Sequence, residues 1–374
     1  MPFAQNFLGG GKGGGKGGGK GGGKGGGKGG GKGGGKGTDD DAMIAEARLT
    51  LHDAIAADWN GTPGQRVSGF APSNDLKYLS QERRLDLLLG VALAAFTVRA
   101  QGDDGARCTV AAGGQDICTL TRPGIALLER QLGWVRAYAD LRGDRSGEIL
   151  LQLDEIVSAF SAVSAFDLPS REATAELVAL TQDVAILVEM QVKHMLRSPR
   201  PADFSERVMP MIDTPDHSSF PSGHATEAFA IATVLARLTR GQRPKAADGG
   251  LLFPLAHRIA VNRTVAGVHF PVDSAAGARL GCAIGEAICA LAGAGNAARY
   301  DFDCNAAPAG SDPDKHNPDF NRRDLADFLA AEPADDVEVA APVNPALAAR
   351  WQAALAEWPD RDDGPDGDPE GPEE

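Results

Sequence analysis

Three short segments in the second half of the chain concentrate groups that hold and transform oxyanions. In Lys193 to Pro201 (KHMLRSPRP), Lys193 closes a helical stretch, and Arg200 sits between two prolines that force the backbone out of helix. Pro221-Ser222-Gly223-His224 makes a tight turn directly before an apolar helix. The Ser222 hydroxyl and the free N–H groups of that helix start form an anion nest. In Asn262 to Asp273 (NRTVAGVHFPVD), Arg263 lies six residues before His269 and Asp273 four after it, so His269 and Asp273 share a face near a helix opened by Pro271. Each piece alone is ordinary. A lone Lys or Arg is usually a solvated charge, a lone His a surface or satisfied core residue, and a lone Asp a helix cap. Together they supply one Lys, two Arg, a Ser hydroxyl and the Gly223 N–H for an oxyanion. Two histidines remain for covalent and acid–base work, and an Asp to fix a tautomer.

The elements that must position these groups read as helices. Apolar periodicity marks residues 43–57, 80–100, 123–141, 147–166, 170–196, 225–238, 255–264 and 272–291, with shorter peripheral helices at 321–331 and 345–358. The helix at 225–238 is apolar nearly all round and belongs in the middle of the fold. Gly277, Gly281 and Gly285 recur every fourth residue, which lets another helix approach closely. Gly61 to Lys77 and Gln242 to Gly250 read as loops, and Gly102 to Thr121 as a turn-rich irregular stretch without β alternation. The fold class predicted is all-α, a multi-helix bundle. Its organisation reads as a helical region at 38–165, a catalytic bundle at 166–300 and peripheral helices at 301–358.

The two ends read as disordered tails. Residues 9–37 repeat Gly-Gly-Gly-Lys, with 22 of the 48 glycines and seven lysines but no apolar side chain, so this stretch cannot offset its ordering entropy, and 1–37 reads as one tail. The repeat is no phosphate-binding P-loop, because every lysine is followed by Gly and no strand precedes it. Residues 359–374 hold eight acids and one base. The tails, at +7 and −7, cancel, so the net charge of −14 belongs to the part between them, which argues against nucleic acid as a partner. No run reaches the roughly 18–20 apolar residues of a membrane span, since Pro271 to Ala294 is interrupted by Asp273, Arg279 and Glu286. With no visible signal peptide, a soluble protein is expected, cytoplasmic or exported without a recognisable signal peptide, the cytoplasm favoured, with homo-oligomerisation left open. Five cysteines without CxxC spacing indicate no zinc site, and a Cys108–Cys118 bridge is the one pairing worth testing.

The ordered set Lys193-x6-Arg200-Pro201, Pro221-Ser222-Gly223-His224 and Arg263-x5-His269-x3-Asp273 resembles the three-part signature of the type 2 phosphatidic acid phosphatase (PAP2)/vanadium haloperoxidase superfamily. The signature covers about 80 residues and the helical setting extends the match to about 170–295. One departure is Asn262, where phosphatase members usually carry Ser. The resemblance implies a helical bundle with the site in its middle. It implies that His269 bonds the central atom, as nucleophile to phosphorus or as axial ligand to vanadium, and that Asp273 orients it. It further implies that Lys193, Arg200, Ser222, Gly223 and Arg263 hold the equatorial oxygens, with His224 the acid–base residue on the apical side.

Phosphoryl transfer is mainly positioning and charge stabilisation of a five-coordinate arrangement, and vanadate adopts that geometry as a ground state, so one pocket serves both chemistries. The first reading is therefore a haloperoxidase with vanadate as cofactor, oxidising halide with peroxide. His217, seven residues before His224, matches a histidine that the superfamily's algal bromoperoxidases carry beside the cofactor; otherwise it is a loop histidine that touches nothing. The alternative is a soluble phosphatase that hydrolyses phosphomonoesters through a phosphohistidine. A non-catalytic oxyanion-binding protein is disfavoured, because no acid–base or nucleophile position is lost. His52, His194, His257 and His316 match no role.

Overall fold

The computed structural model describes residues 39–56, 60–62, 73–102, 105–167, 169–241, 243–244, 250–330, 336–337 and 343–359. The tail reading at 1–37, that at 359–374 but for Pro359, and most of the loops at 61–77 and 242–250 lie outside these residues. Helices dominate. In chain order they are α1 (Asp39–Leu51), α2 (Gln81–Leu93), α3 (Ile125–Tyr138), α4 (Arg142–Asp154), α5 (Val157–Ser164), α6 (Glu172–Leu196), α7 (Pro201–Phe204), α8 (Gly223–Arg240), α9 (Leu252–Val265), α10 (Pro271–Leu291), α11 (Leu325–Ala330) and α12 (Pro345–Ala356).

The all-α reading holds for the bundle. α8 sits at its centre, with α6, α9 and α10 packed around it. Its Ala-rich face lets neighbours approach, and Ala225 to Ala236 are all buried. The four-residue glycine spacing of α10 has the predicted effect. A β-carbon on Gly277 would stand 2.5 Å from the Ser222 carbonyl oxygen, and one on Gly281 would collide with the Thr226 carbonyl, so α10 lies directly on the α8 backbone. α10 is long and apolar enough to cross a membrane, yet 94% of that span is buried inside the protein. Packing against α8 accounts for its apolarity.

Two stretches differ from the sequence reading. The helix expected over 80–100 stops at Leu93, and the region read as irregular folds as an antiparallel meander of β1 (Phe96–Gln101), β2 (Arg107–Ala112) and β3 (Gln115–Thr121). A short β5 (Phe302–Asp303) adds parallel to β3, while β4 (Ala297–Ala298) pairs with β6 (Asp336–Val337). Residues Cys108 to Ala112 of β2 are all buried, so both faces are covered and the buried–exposed alternation is lost. Gly113 and Gly114, both at positive φ, make the β2–β3 turn. The helix expected over 147–166 is two, α4 and α5, separated at Glu155–Ile156. The Cys108–Cys118 bridge is absent: all five cysteines are free and buried, and these two face Leu120 and Val110 across the β2–β3 ladder.

Candidate active site

His269 and Asp273 are joined by the start of α10. Pro271 opens this helix with its φ already fixed and no N–H to satisfy. Asp273, in the first turn, accepts the Phe270 N–H at 2.9 Å through Oδ2. The same oxygen accepts the Ser219 hydroxyl at 2.5 Å and lies 3.2 Å from His269 Nδ1. An acceptor at Nδ1 puts the ring proton there and leaves the Nε2 lone pair free. Burial pushes Asp273 up to about 6, against the pull of Ser219 and the Phe270 N–H. Burial, then the charges of Arg200 and Lys193, hold the His269 imidazolium well below its ordinary range. The ring is therefore neutral at physiological pH, the state a nucleophile needs.

Lys193 and Arg200 come from the end of α6 and the segment after it. Lys193 is 1% exposed, and its Nζ donates to the carbonyls of Ser218 (3.1 Å) and Pro221 (2.5 Å). Arg200 donates from Nε to the His217 carbonyl (3.0 Å) and from Nη1 to that of Val268 (2.8 Å). The two cations thus tie the 217–221 loop and the 268 turn into one body. Its Nη2 lies 3.2 Å from His217 Nδ1. Since guanidinium only donates, that nitrogen is the acceptor.

The nest opens α8. The Ser222 N–H donates to the Asp273 carbonyl at 2.9 Å, which fixes the nest against the start of α10. The Ser222 hydroxyl is buried and has no partner among the described residues, as have Nε and Nη1 of Arg263. Arg263 is 1% exposed; its Nη2 reaches the side-chain oxygen of Gln152 (2.9 Å) and the Ile149 carbonyl (3.3 Å), both on α4. Burying a guanidinium with two donor nitrogens unmet is costly unless an anion completes it. These orphaned donors fit any tetrahedral oxyanion, vanadate and phosphate alike. His224 is half-buried, and its Nε2 lies 2.8 Å from the Gln152 carbonyl. Burial, then Arg263, push its imidazolium well below the ordinary range.

All nine residues singled out from the sequence, including His217, gather around α6, the 217–224 loop and the α9–α10 turn. Asn262, the departure from the signature, packs on α4 through Glu148 and Gln152 and accepts from Arg145. Three participants escape sequence reasoning. Gln152 carries no motif and comes from the N-terminal half. Ser219 is one serine among three in HSSFPS. Glu189 stands one helical turn before Lys193, a spacing that could have marked it as a partner. Of the four unmatched histidines, His257 contacts the Phe320 carbonyl and His316 that of Cys304, while His52 and His194 are exposed. A separate cavity of 440 Å³, lined by Leu132, Val135, Arg142, Val208 and Met209 among others, holds none of the site residues.

Residues 174–294 match the family model of the PAP2 superfamily. The chain carries a PAP2 superfamily domain. The match begins and ends within the core, from the first turn of α6 to just beyond α10. The decaprenylphosphoryl-5-phosphoribose phosphatase of Mycobacterium tuberculosis (strain ATCC 25618 / H37Rv) is 34% identical over 118 residues, 31% of this chain and 60% of that protein. The protein of the same name from Mycolicibacterium smegmatis (strain ATCC 700084 / mc(2)155) is 32% identical over 119 residues, 32% of this chain and 61% of that one. The chain thus spans about three fifths of these relatives' length.

These relatives overturn the haloperoxidase reading, because both are phosphatases by name. The reason it misled is physical. The PAP2 domain's anion donors do not distinguish vanadate from phosphate, so the reading leaned on His217 together with the expected solubility and the long helical N-terminal half. Here the His217 ring accepts from Arg200, as a brace of the cage.

Proposed function

We propose that the PAP2 domain of this chain is a phosphatase that hydrolyses phosphomonoesters through a phosphohistidine at His269. The observation that carries this reading is the pair of buried residues with unmet donors, Ser222 Oγ and Arg263 Nε and Nη1, beside a neutral His269 oriented by Asp273. Lys193, Arg200, Arg263, Ser222 and the Gly223 N–H hold the three non-bridging oxygens and neutralise the charge that spreads over them. His269 Nε2 attacks phosphorus in line, while Asp273 stabilises the developing imidazolium through Nδ1–H. The phosphate's own charge restores the His224 imidazolium, which gives its proton to the leaving alkoxide. His224 then takes a proton from the water that attacks the phosphohistidine. The transfer leaves an alcohol, and the second step leaves inorganic phosphate.

The relatives' names point to a sugar phosphate on a polyprenyl carrier as the substrate class. An apolar portion in the substrate suits α4, which presents Leu150, Leu151 and Leu153 to solvent on either side of Gln152. The test is a release assay for inorganic phosphate, comparing a small phosphomonoester with an amphiphilic one of the same headgroup. Hydrolysis of both, faster for the amphiphile and competitively inhibited by inorganic phosphate, is expected. No phosphate release from either, in protein whose fold is verified, refutes the proposal.

A further inference from the structure

A buried carboxylate lies against the phosphate nest, where a second negative charge is costly. Glu189, on α6 one turn before Lys193, is 4% exposed. Its Oε2 is 3.5 Å from Lys193 Nζ and accepts no hydrogen bond among the described residues. A β-carbon on Gly223 would stand 2.9 Å from its Oε1 and 3.4 Å from Oε2. The glycine that offers its N–H to a phosphate oxygen therefore has this carboxylate at its α-carbon. A second buried acid, Glu227, follows one turn later on α8 and accepts from Gln182 at 2.9 Å.

Two anions cannot share this space at full charge. Like charges in a buried site drive one of them to take a proton. The charged groups around Glu189 decide which. Burial pushes Glu189 up, against the pull of Lys193 on its own helix and Arg200 on the following segment, which favour the carboxylate. Glu227 on α8 carries a like charge when ionised, and its own burial and nearness to Glu189 push it up to about 8. Arg263 on α9 acts on Glu227, Asp273 on α10 acts on Lys193, and His224 also feels Lys193. Once a dianion engages Lys193 and Arg200, the cations that kept Glu189 ionised are spent on the ligand, and burial remains.

We propose that Glu189 is a positioning residue of the phosphate site, ionised against Lys193 before the ligand arrives and taking up a proton from solvent when a dianionic phosphate enters. This rests on the phosphatase reading above. The proton leaves with the product, so the site releases phosphate without holding three cations uncompensated. By linkage, binding then weakens as pH rises.

Calorimetry with sulfate tests this on the full chain. Sulfate is tetrahedral and keeps two charges from pH 6.5 to 8.5, so any proton uptake belongs to the protein. Titration in two buffers of different ionisation enthalpy counts the protons. The parent is expected to take up protons at pH 7.5, and its sulfate Kd to rise about tenfold per proton per pH unit at most. Glu189→Gln is expected to take up one proton fewer than the parent, keeping the proton that His224 gains, and to show a correspondingly shallower pH dependence. Glu189→Asp, still titratable, is expected to keep the uptake. Infrared difference spectra of the parent must also show a protonated-carboxyl band on sulfate addition, which covers the case of a Gln variant that does not fold. Unchanged uptake in a folded Glu189→Gln, or no such band in the parent, overturns the proposal and leaves the phosphatase reading standing. A parent that binds no sulfate and releases no phosphate from a phosphomonoester overturns both.

Discussion

Gln152→Ala isolates the contribution of the N-terminal half to the site. The side-chain oxygen of Gln152 accepts from Arg263 Nη2 at 2.9 Å and from Asn262 Nδ2 at 3.1 Å, whereas His224 contacts its main-chain carbonyl, which alanine keeps. The substitution thus frees Arg263 and spares His224. Among the described residues Arg263 already has Nε and Nη1 unmet, and after the change its only acceptor there is the Ile149 carbonyl at 3.3 Å. A hydrogen bond to a charged group contributes about 1.5–3 kcal/mol, and Asn262 retains Glu148 as a partner, so nearly all of the loss falls on Arg263. At 1.4 kcal/mol per factor of ten, kcat/KM should fall roughly 10- to 150-fold. The loss should appear mainly as a raised KM and a weaker competitive Ki for phosphate, with kcat changed less than fivefold. Steady-state kinetics with a soluble phosphomonoester, beside a thermal melt, checks it. A folded variant with kcat/KM within twofold of the parent refutes the idea that α4 holds the Arg263 guanidinium in place. A loss confined to kcat shows instead that Gln152 acts through His224.

Further outcomes follow from other contacts. Asp273 must be ionised to orient His269, and its pKa is about 6, so kcat/KM should fall as pH drops through that value. Ser219→Ala removes a hydrogen bond that favours the carboxylate, so this acid limb should move to higher pH, and an unmoved limb contradicts the assignment. Glu227 is raised from 4.5 to about 8 by burial, so the folded state holds a proton that the unfolded chain has lost, and this acid's contribution to stability declines as pH rises from about 4.5 to 8. Glu227→Gln keeps an acceptor for Gln182 and should raise Tm at pH 8.5 relative to the parent while changing it little at pH 5, as read by calorimetric melts. Gly281→Ala forces a β-carbon onto the Thr226 carbonyl and should cost about 1–3 kcal/mol, a drop of several degrees in Tm, unless α10 is free to move away from α8.

The site was legible because its residue types are rare in combination and close in sequence. Lys193, Arg200, Ser222, Gly223, His224, Arg263, His269 and Asp273 all fall on three segments, and the helices that carry them show apolar periodicity over many turns. Gln152 was illegible for the opposite reason: its contacts with Arg263 and His224 span 111 and 72 residues of chain, and nothing in RSGEILLQLD distinguishes it from a surface glutamine. The meander at 96–121 was missed because β2 is buried on both faces and β1 continues an Ala-rich run that reads as helix. The Gly113-Gly114 turn between β-branched and Cys-containing runs was the signal that could have placed it. The choice of chemistry was the other gap, because a cage built for tetrahedral oxyanions carries no mark of which one it holds.

The central claim is that His269 becomes covalently phosphorylated, and rapid-quench trapping with a ³²P-labelled phosphomonoester tests it most directly. The account predicts an acid-labile, base-stable label on the peptide containing His269, forming and decaying at rates that support turnover. The label should be absent from His269→Ala, which should also show no phosphate release. Phosphate release that persists in His269→Ala, or a label carried by any other residue, contradicts it.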